Sequence, residues 1–330
     1  MKQPGSHNLG LDLVRATEAA ALAAGRWMGR GNATKSDQAA SRAMETALNQ
    51  IDFDGQILHS EIDKLSEDAP LHPGQRLGTG NGPPVDLVVD PIEGRALLSR
   101  GHPDAIAVAA AAPRGTFWNA PGAVYMEKIV VGAEIAPALV PECIDAPAAW
   151  TLALVARACD KAVSDLVVFV LWRSRHIDLI DEIRAAGARV ILRPEGDLVG
   201  ALKALTPTGG LDIMMGIGNY PEGLITACAV KASGGAMLGR LAPQSSTERE
   251  ALSGSLNSQR ILTADELVTG DQTFFAATGI TDGALLAGVH YRGSRATSNS
   301  LVMRSETRTQ RIIKAEHLLT QKATESWTID

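Results

Sequence analysis

LVVFVLWRSRHIDLIDEIRAAGARVILRPEGDLVGALKALTPTGGLDIMMG, residues 166–216, is the stretch that decides the fold. Leu166–Trp172 is a β-branched apolar run and reads as a buried strand, while Ile177–Ala186 carries its apolar residues at helical spacing. Arg189–Leu192 then reads as a strand, Leu198–Leu205 as a helix and Leu211–Gly216 as a strand. Trp150–Lys161 before this stretch and Pro221–Ala232 after it read as further helices. Strands that alternate with helices of this length need crossover connections, so this half of the chain predicts a layered α/β domain.

Working outward, Leu9–Met28 places Leu13, Ala16, Ala20, Ala23 and Trp27 on one helical face, and Gly29, Gly31 and Asn32 end that helix. A second helix is expected from Gln38 to about Asn49, capped by Ser36 or Asp37. Gln56–His59, Val85–Val89 and Ile106–Ala111 read as buried strands, with a Pro- and Gly-rich loop between the first two. Phe117–Pro121 and Tyr125–Val131 are expected to form a strand pair. The Pro- and Ala-rich stretch 132–149 has no period, which suggests a boundary between an N-terminal domain, 1–140, and a C-terminal domain, 141–330. Thr273–Val302 looks rich in strand, and Thr307–Leu319 looks mixed.

The 330 residues are 45% hydrophobic, but aromatics make up only 4%, so the core must be built mainly of Ala, Val, Leu and Ile. A net charge of −6 argues against nucleic acid as the main partner. It also means that a phosphate-bearing substrate needs local basic residues or metal ions. Cys143, Cys159 and Cys228 lack the spacing of zinc ligands and read as buried free thiols, which suits a reducing compartment. The opening residues have no apolar signal core, and no stretch reaches the length of a membrane span. The expectation is a cytoplasmic protein with no membrane partner.

The sharpest chemical feature is Val85-Asp86-Leu87-Val88-Val89-Asp90-Pro91-Ile92-Glu93-Gly94, in which a buried strand runs into an acidic turn. Asp90 and Glu93 offer hard oxygen ligands suited to Mg²⁺ or Mn²⁺, and Gly94 permits a tight bend or a close ligand approach. An ordinary strand exit has the same composition, since Asp, Pro and Gly all favour turns. Asp37 reads equally well as a helix cap, Glu61 as a solvated loop residue and Glu222 as a favourable first-turn acid. Gly216-Ile217-Gly218-Asn219 reads as a Gly-rich turn able to offer N–H groups to a phosphate. Arg173 and Arg175 follow a strand end and can grip phosphate, or can simply be surface charges. Tyr125 reads as a packed aromatic with a surface hydroxyl.

Taken together and in order, TEAAALAAGRWMGRG, LNQIDFDG, DLVVDPIEG, NAPGAVYMEK, RSRH, GARV, MGIGNYPEG and AATGIT resemble the class II fructose-1,6-bisphosphatases, a branch of the lithium-sensitive sugar and inositol phosphatases. The resemblance runs over roughly Leu9–His317. It implies an α/β/α/β/α layered fold, Mg²⁺ or Mn²⁺ held by Asp37, Glu61, Asp90, Glu93 and Glu222, and a homo-oligomer, dimer or tetramer. It also implies sugar-phosphate contacts at Gly94, Tyr125, Arg173, Arg175, Gly196 and Asp197. The activity implied is hydrolysis of fructose 1,6-bisphosphate or sedoheptulose 1,7-bisphosphate, with Asp37 or Glu61 as proton acceptor. The alternatives are a phosphatase for another sugar phosphate and a binding homologue with little catalysis. Several positions depart from the family pattern. Arg95 stands where the family has a threonine that orients the attacking water, so a cation enters the catalytic surroundings. The loop Ser60–Pro70 is two residues longer, which sets Glu67 against Glu61 for the same role. Glu195 replaces an aspartate, and Asn219-Tyr220 replace small residues and are expected to narrow the pocket.

Overall fold

The computed structural model describes residues 8–60, 69–253 and 259–319. Helices α1 (Leu9–Gly25) and α2 (Ala33–Leu48) lead into strands β1 (Asp54–Ser60), β2 (Arg76–Leu77) and β3 (Pro84–Glu93), helix α3 (Arg95–Arg100) and strand β4 (Ile106–Pro113). Next come β5 (Tyr125–Val131), α4 (Ala148–Ala158), β6 (Val167–Leu171), α5 (Ile177–Ala185), β7 (Arg189–Arg193), α6 (Asp197–Leu205), β8 (Ile213–Asn219) and α7 (Tyr220–Ser233). The chain ends with β9 (Ala236–Leu241), α8 (Ser246–Leu252), β10 (Leu262–Thr263), α9 (Ala264–Leu267), β11 (Phe274–Gly279), β12 (His290–Arg292), β13 (Arg295–Arg304) and β14 (Thr309–Leu318). These elements form two mixed sheets with helices against them, the layered α/β fold that the alternation predicts. No helix among the described residues is long and apolar enough to cross a membrane.

One compact unit holds the residues up to Arg114, Gln272–Arg304 and those from Thr309 on. Its sheet runs β12-β13-β11-β4-β3-β1-β2, with β14 added on β13, and only the β1–β3 pair is parallel among the described strands. Strand period decides which residues meet the helices. Val85, Leu87 and Val89 of β3 and Ala107, Ala109 and Ala111 of β4 join one core with Leu13, Ala16, Ala20 and Ala24 of α1. Small residues on both partners let α1 lie close to the sheet, and a buried hydroxyl chain, Thr17–Thr278–Ser300 at 2.8 Å per link, joins them. The opposite period of β3 carries Asp86 and Asp90. Asp86 faces Arg114 (Nε–Oδ1 3.5 Å), whose Nη1 donates to Asp54 Oδ2 at 2.9 Å, so this acid serves to join strands.

The other unit holds Gly115–Asp271 and Ser305–Arg308. Its sheet order is β10-β9-β5-β8-β6-β7. β8, β6 and β7 are parallel neighbours, while β5 pairs antiparallel with both β8 and β9. Ile129, Val131, Val168, Val170, Ile213 and Met215 meet Leu152 and Val155 of α4 and Ile180 and Ile183 of α5 in one core. The chain leaves β6 for β7 on one side and returns to β8 on the other. The carboxyl end of β6 is thus a topological switch point, a favoured place for ligands in open α/β sheets.

Four expectations change. Helix α2 begins at Ala33, and its cap is Asn32, whose side chain accepts from Lys35 N at 3.0 Å; Ser36 and Asp37 therefore lie inside the helix. Phe117–Pro121 makes a single bridge, to Val268, because Ala120 N donates to the Tyr220 hydroxyl instead of entering a ladder. Gly216–Asn219 is strand, not turn: pairing with β5 carries β8 on to Asn219, and Ile217 N donates to His176 Nε2. Residues 309–318 are wholly strand, held along β13 from Arg295 to Arg304.

Candidate active site

Asp90 and Glu93 stand three positions apart on β3, and a regular strand would aim them to opposite faces. The pairing with β4 prevents this. Asp90 is opposite Val108 and Glu93 opposite Ile106, so three steps on β3 match two on β4 and a bulge turns Glu93 back to the face of Asp90. Pro91 has no N–H to lose there, and Ile92 N donates to Asp90 Oδ1 at 2.9 Å, which fixes the carboxylate. Gly94 follows with φ +86°, a left-handed conformation that turns β3 directly into α3. Arg95 opens that helix, and its Nε lies 3.7 Å from Asp37 Oδ1 on α2. Glu61 and its competitor Glu67 lie outside the described residues.

Glu222 occupies the first turn of α7, where the helix dipole favours an acid. Asn219 Nδ2 donates to Glu222 Oε1 at 2.9 Å, so Asn219 positions this carboxylate. Tyr220, next to it, turns into the core: it is fully buried, its ring meets Trp118 edge-on, and its hydroxyl donates to Trp118 O. Its expected role in narrowing a pocket gives way to one in packing. Asp197 is the first residue of α6, after Gly196 in the left-handed region, and is buried against Lys128 Nζ at 2.5 Å. Burial alone would raise the Asp197 pKa, but the Lys128 ammonium and the hydrogen bonds that the carboxyl accepts, that of Leu198 N–H among them, together outweigh it and hold the carboxyl below its usual range. The pair also explains Gly218, where a Cβ would fall 1.8 Å from Asp197 Oδ2.

At the end of β6, His176 is a buried peg. Its Nδ1 lies 2.8 Å from Leu171 O, and its Nε2 accepts from Ile217 N at 2.8 Å, an arrangement that needs the neutral imidazole. Burial, with help from the Arg175 charge, lowers its pKa. This peg fixes the loop that carries Arg173 and Arg175. Arg175 lies 4.9 Å over the Tyr125 ring and donates through Nη2 to Ile217 O, while its buried Nε has no hydrogen-bond partner among the described residues. Arg173 is exposed.

Among the described residues one group of three acids meets the geometry of a metal site: Asp90, Glu93 and Glu222, all buried, each offer a carboxylate oxygen within 4.8 Å of the others. The set fits a hard divalent cation, being all oxygen with no sulfur or nitrogen donor. Sequence reasoning missed Lys128 and Asn219 as the groups that hold Asp197 and Glu222. A signal for Lys128 was present, since strand period puts it on one face with Met126 and Val130.

A layered α/β chain with such an oxygen-only acid set has the equipment of a metal-dependent phosphatase. A family model described as bacterial fructose-1,6-bisphosphatase, glpX-encoded, matches residues 7–317. The chain is 37% identical over 325 residues to the class 2 fructose-1,6-bisphosphatase of Haemophilus influenzae, covering 94% of this chain and 96% of that protein. To the fructose-1,6-bisphosphatase 1 class 2 of Escherichia coli K12 it is 35% identical over 328 residues, covering 95% and 96%. The chain belongs to the glpX-encoded bacterial fructose-1,6-bisphosphatase family.

Proposed function

We propose that this protein hydrolyses a phosphomonoester of a sugar bisphosphate, with fructose 1,6-bisphosphate as first substrate and sedoheptulose 1,7-bisphosphate as the nearest alternative. The observation that carries the reading is the meeting of Asp90, Glu93 and Glu222 in a chain of this family. Mg²⁺ or Mn²⁺ held by these acids would neutralise the phosphate and lower the pKa of the attacking water. Asn219 and the Asp90–Ile92 N contact keep two of the carboxylates in place, which limits reorganisation during reaction. Arg173 and Arg175 anchor the phosphate that is not cleaved, and the spare Nε donor of Arg175 supports this role. Tyr125 holds the Arg175 guanidinium over its ring. Gly94, Gly196 and Asp197 border the sugar, and Glu61 or Asp37 accepts the proton from water. We place the protein in the cytoplasm as a homo-oligomer; its three free cysteines suit a reducing compartment.

Phosphate release from a panel of sugar mono- and bisphosphates with Mg²⁺ or Mn²⁺, beside Asp90→Asn, tests this reading. Bisphosphate hydrolysis that falls at least about a hundredfold in the variant is the expected result. Metal-dependent sugar-phosphate binding with no release from any member of the panel overturns it in favour of a binding homologue.

A further inference from the structure

We propose that Arg95 takes the place of a divalent cation at Asp37, so that the acids Asp90, Glu93 and Glu222 bind a single metal ion per chain and Asp37 is not one of its ligands. This rests on the reading of those three acids as the metal centre.

Three observations carry it. The Arg95 guanidinium lies 3.7 Å from the Asp37 carboxylate, with both side chains largely shielded, at 28% and 17% exposure. The backbone fixes the approach of these two groups. Gly29 N donates to Leu98 O at 2.9 Å and Gly31 N to Ser99 O at 3.0 Å, which ties the connection between α1 and α2 to α3, the helix that Arg95 opens. Gly94 in its left-handed turn sets that helix directly behind Glu93. Finally, among the described residues the group of acids close enough to share an ion contains Asp90, Glu93 and Glu222 but not Asp37.

Charge decides the consequence. A guanidinium keeps its positive charge at any pH where the protein is folded. A divalent ion bound to Asp37 would sit within a few ångströms of it, and in a shielded site that repulsion is strong. A carboxylate already matched by a fixed cation is a poor ligand for a mobile one. Arg95 thus supplies permanently what a second metal ion would supply only when bound.

Counting bound Mn²⁺ per chain by calorimetric titration, with free Mn²⁺ followed by electron paramagnetic resonance, tests the assignment without any assay of turnover. The wild type is expected to bind one ion. Arg95→Met and Arg95→Thr, which remove the charge, are expected to bind two, and Asp37→Asn in the wild-type background is expected still to bind one. Two ions in the wild type, falling to one in Asp37→Asn, would overturn the proposal, as would an unchanged count in folded Arg95 variants. Should those variants fail to fold, Asp37→Asn decides alone: an unchanged count supports the assignment and a lost ion sinks it. Asp90→Asn separates the underlying reading, since undiminished Mn²⁺ binding there would move the metal centre itself away from these acids.

Discussion

Lys128 shows how one side chain binds packing to chemistry. It lies 1% exposed and pairs with the buried Asp197, the first residue of α6. Removing one member of a buried pair strands the other charge, so Lys128→Met is expected to cost about 3–5 kcal/mol. Urea unfolding measures this, and the double variant Lys128→Met, Asp197→Leu should lose less than the single one, because no charge is left alone. His176 makes a pH prediction. Its folded pKa lies below the usual value of about 6.5, so the neutral ring contributes stability in full above that pH and the contribution is lost as pH falls through the lowered folded value. Arg175, Arg173 and Asp197 are the charges that act on it. Melting temperature recorded between pH 8 and 5 should fall on the acid side, and His176→Gln, which keeps an amide donor and acceptor, should flatten that fall. At this scale the sequence was legible wherever chemistry resides in residue type: the acids of DPIEG and the arginines of RSRH were visible. Partners such as Asn219 for Glu222 were not, because a hydrogen bond between a cap residue and the first turn depends on rotamer.

Elements position the site through their ends. The bulge at Asp90–Glu93 and the left-handed Gly94 deliver two carboxylates and a helix start within a few residues. Gly94→Ala forces a Cβ into φ +86°, with Leu97 Cδ1 3.0 Å away, and is expected to cost about 1–2 kcal/mol and to reduce phosphate release as well. Chemical denaturation and kcat measured together check both effects. The cap of α2 can be tested alone: Asn32→Ala should cost about 1 kcal/mol in the same unfolding assay. Helix α2 also shows why a helix start is hard to place from sequence. Asn32, Ser36 and Asp37 are all good capping residues, and only the actual hydrogen bond, Asn32 to Lys35 N, selects one. The glycines of Gly216–Asn219 read as a turn by propensity, yet the ladder to β5 and the crowding of Lys128 and Asp197 make them strand. Tertiary pairing overrides local preference there.

At the scale of the whole molecule, the strands from Phe274 to Leu318 join the sheet begun by β1, β3 and β4. Alternation of strand and helix made the α/β class legible from residues 166–216, and the Ala-rich face of α1 announced close packing. The return of β11 to lie beside β4 was not legible, because pairing across such a separation leaves no periodic trace. Metal binding is expected to register on this scale too. An ion that binds only the folded chain stabilises it by about 2.7 kcal/mol at a hundred times Kd. Mn²⁺ should therefore raise the melting temperature and a chelator reverse the rise, while Asp90→Asn shows neither effect.

The most direct measurement is a crystal of the protein grown with Mn²⁺ and recorded at the manganese absorption edge. An anomalous peak is expected within bonding distance of carboxylate oxygens from Asp90, Glu93 and Glu222. Manganese bound in the crystal at other residues, with those three carboxylates turned to protein partners or water, would contradict it.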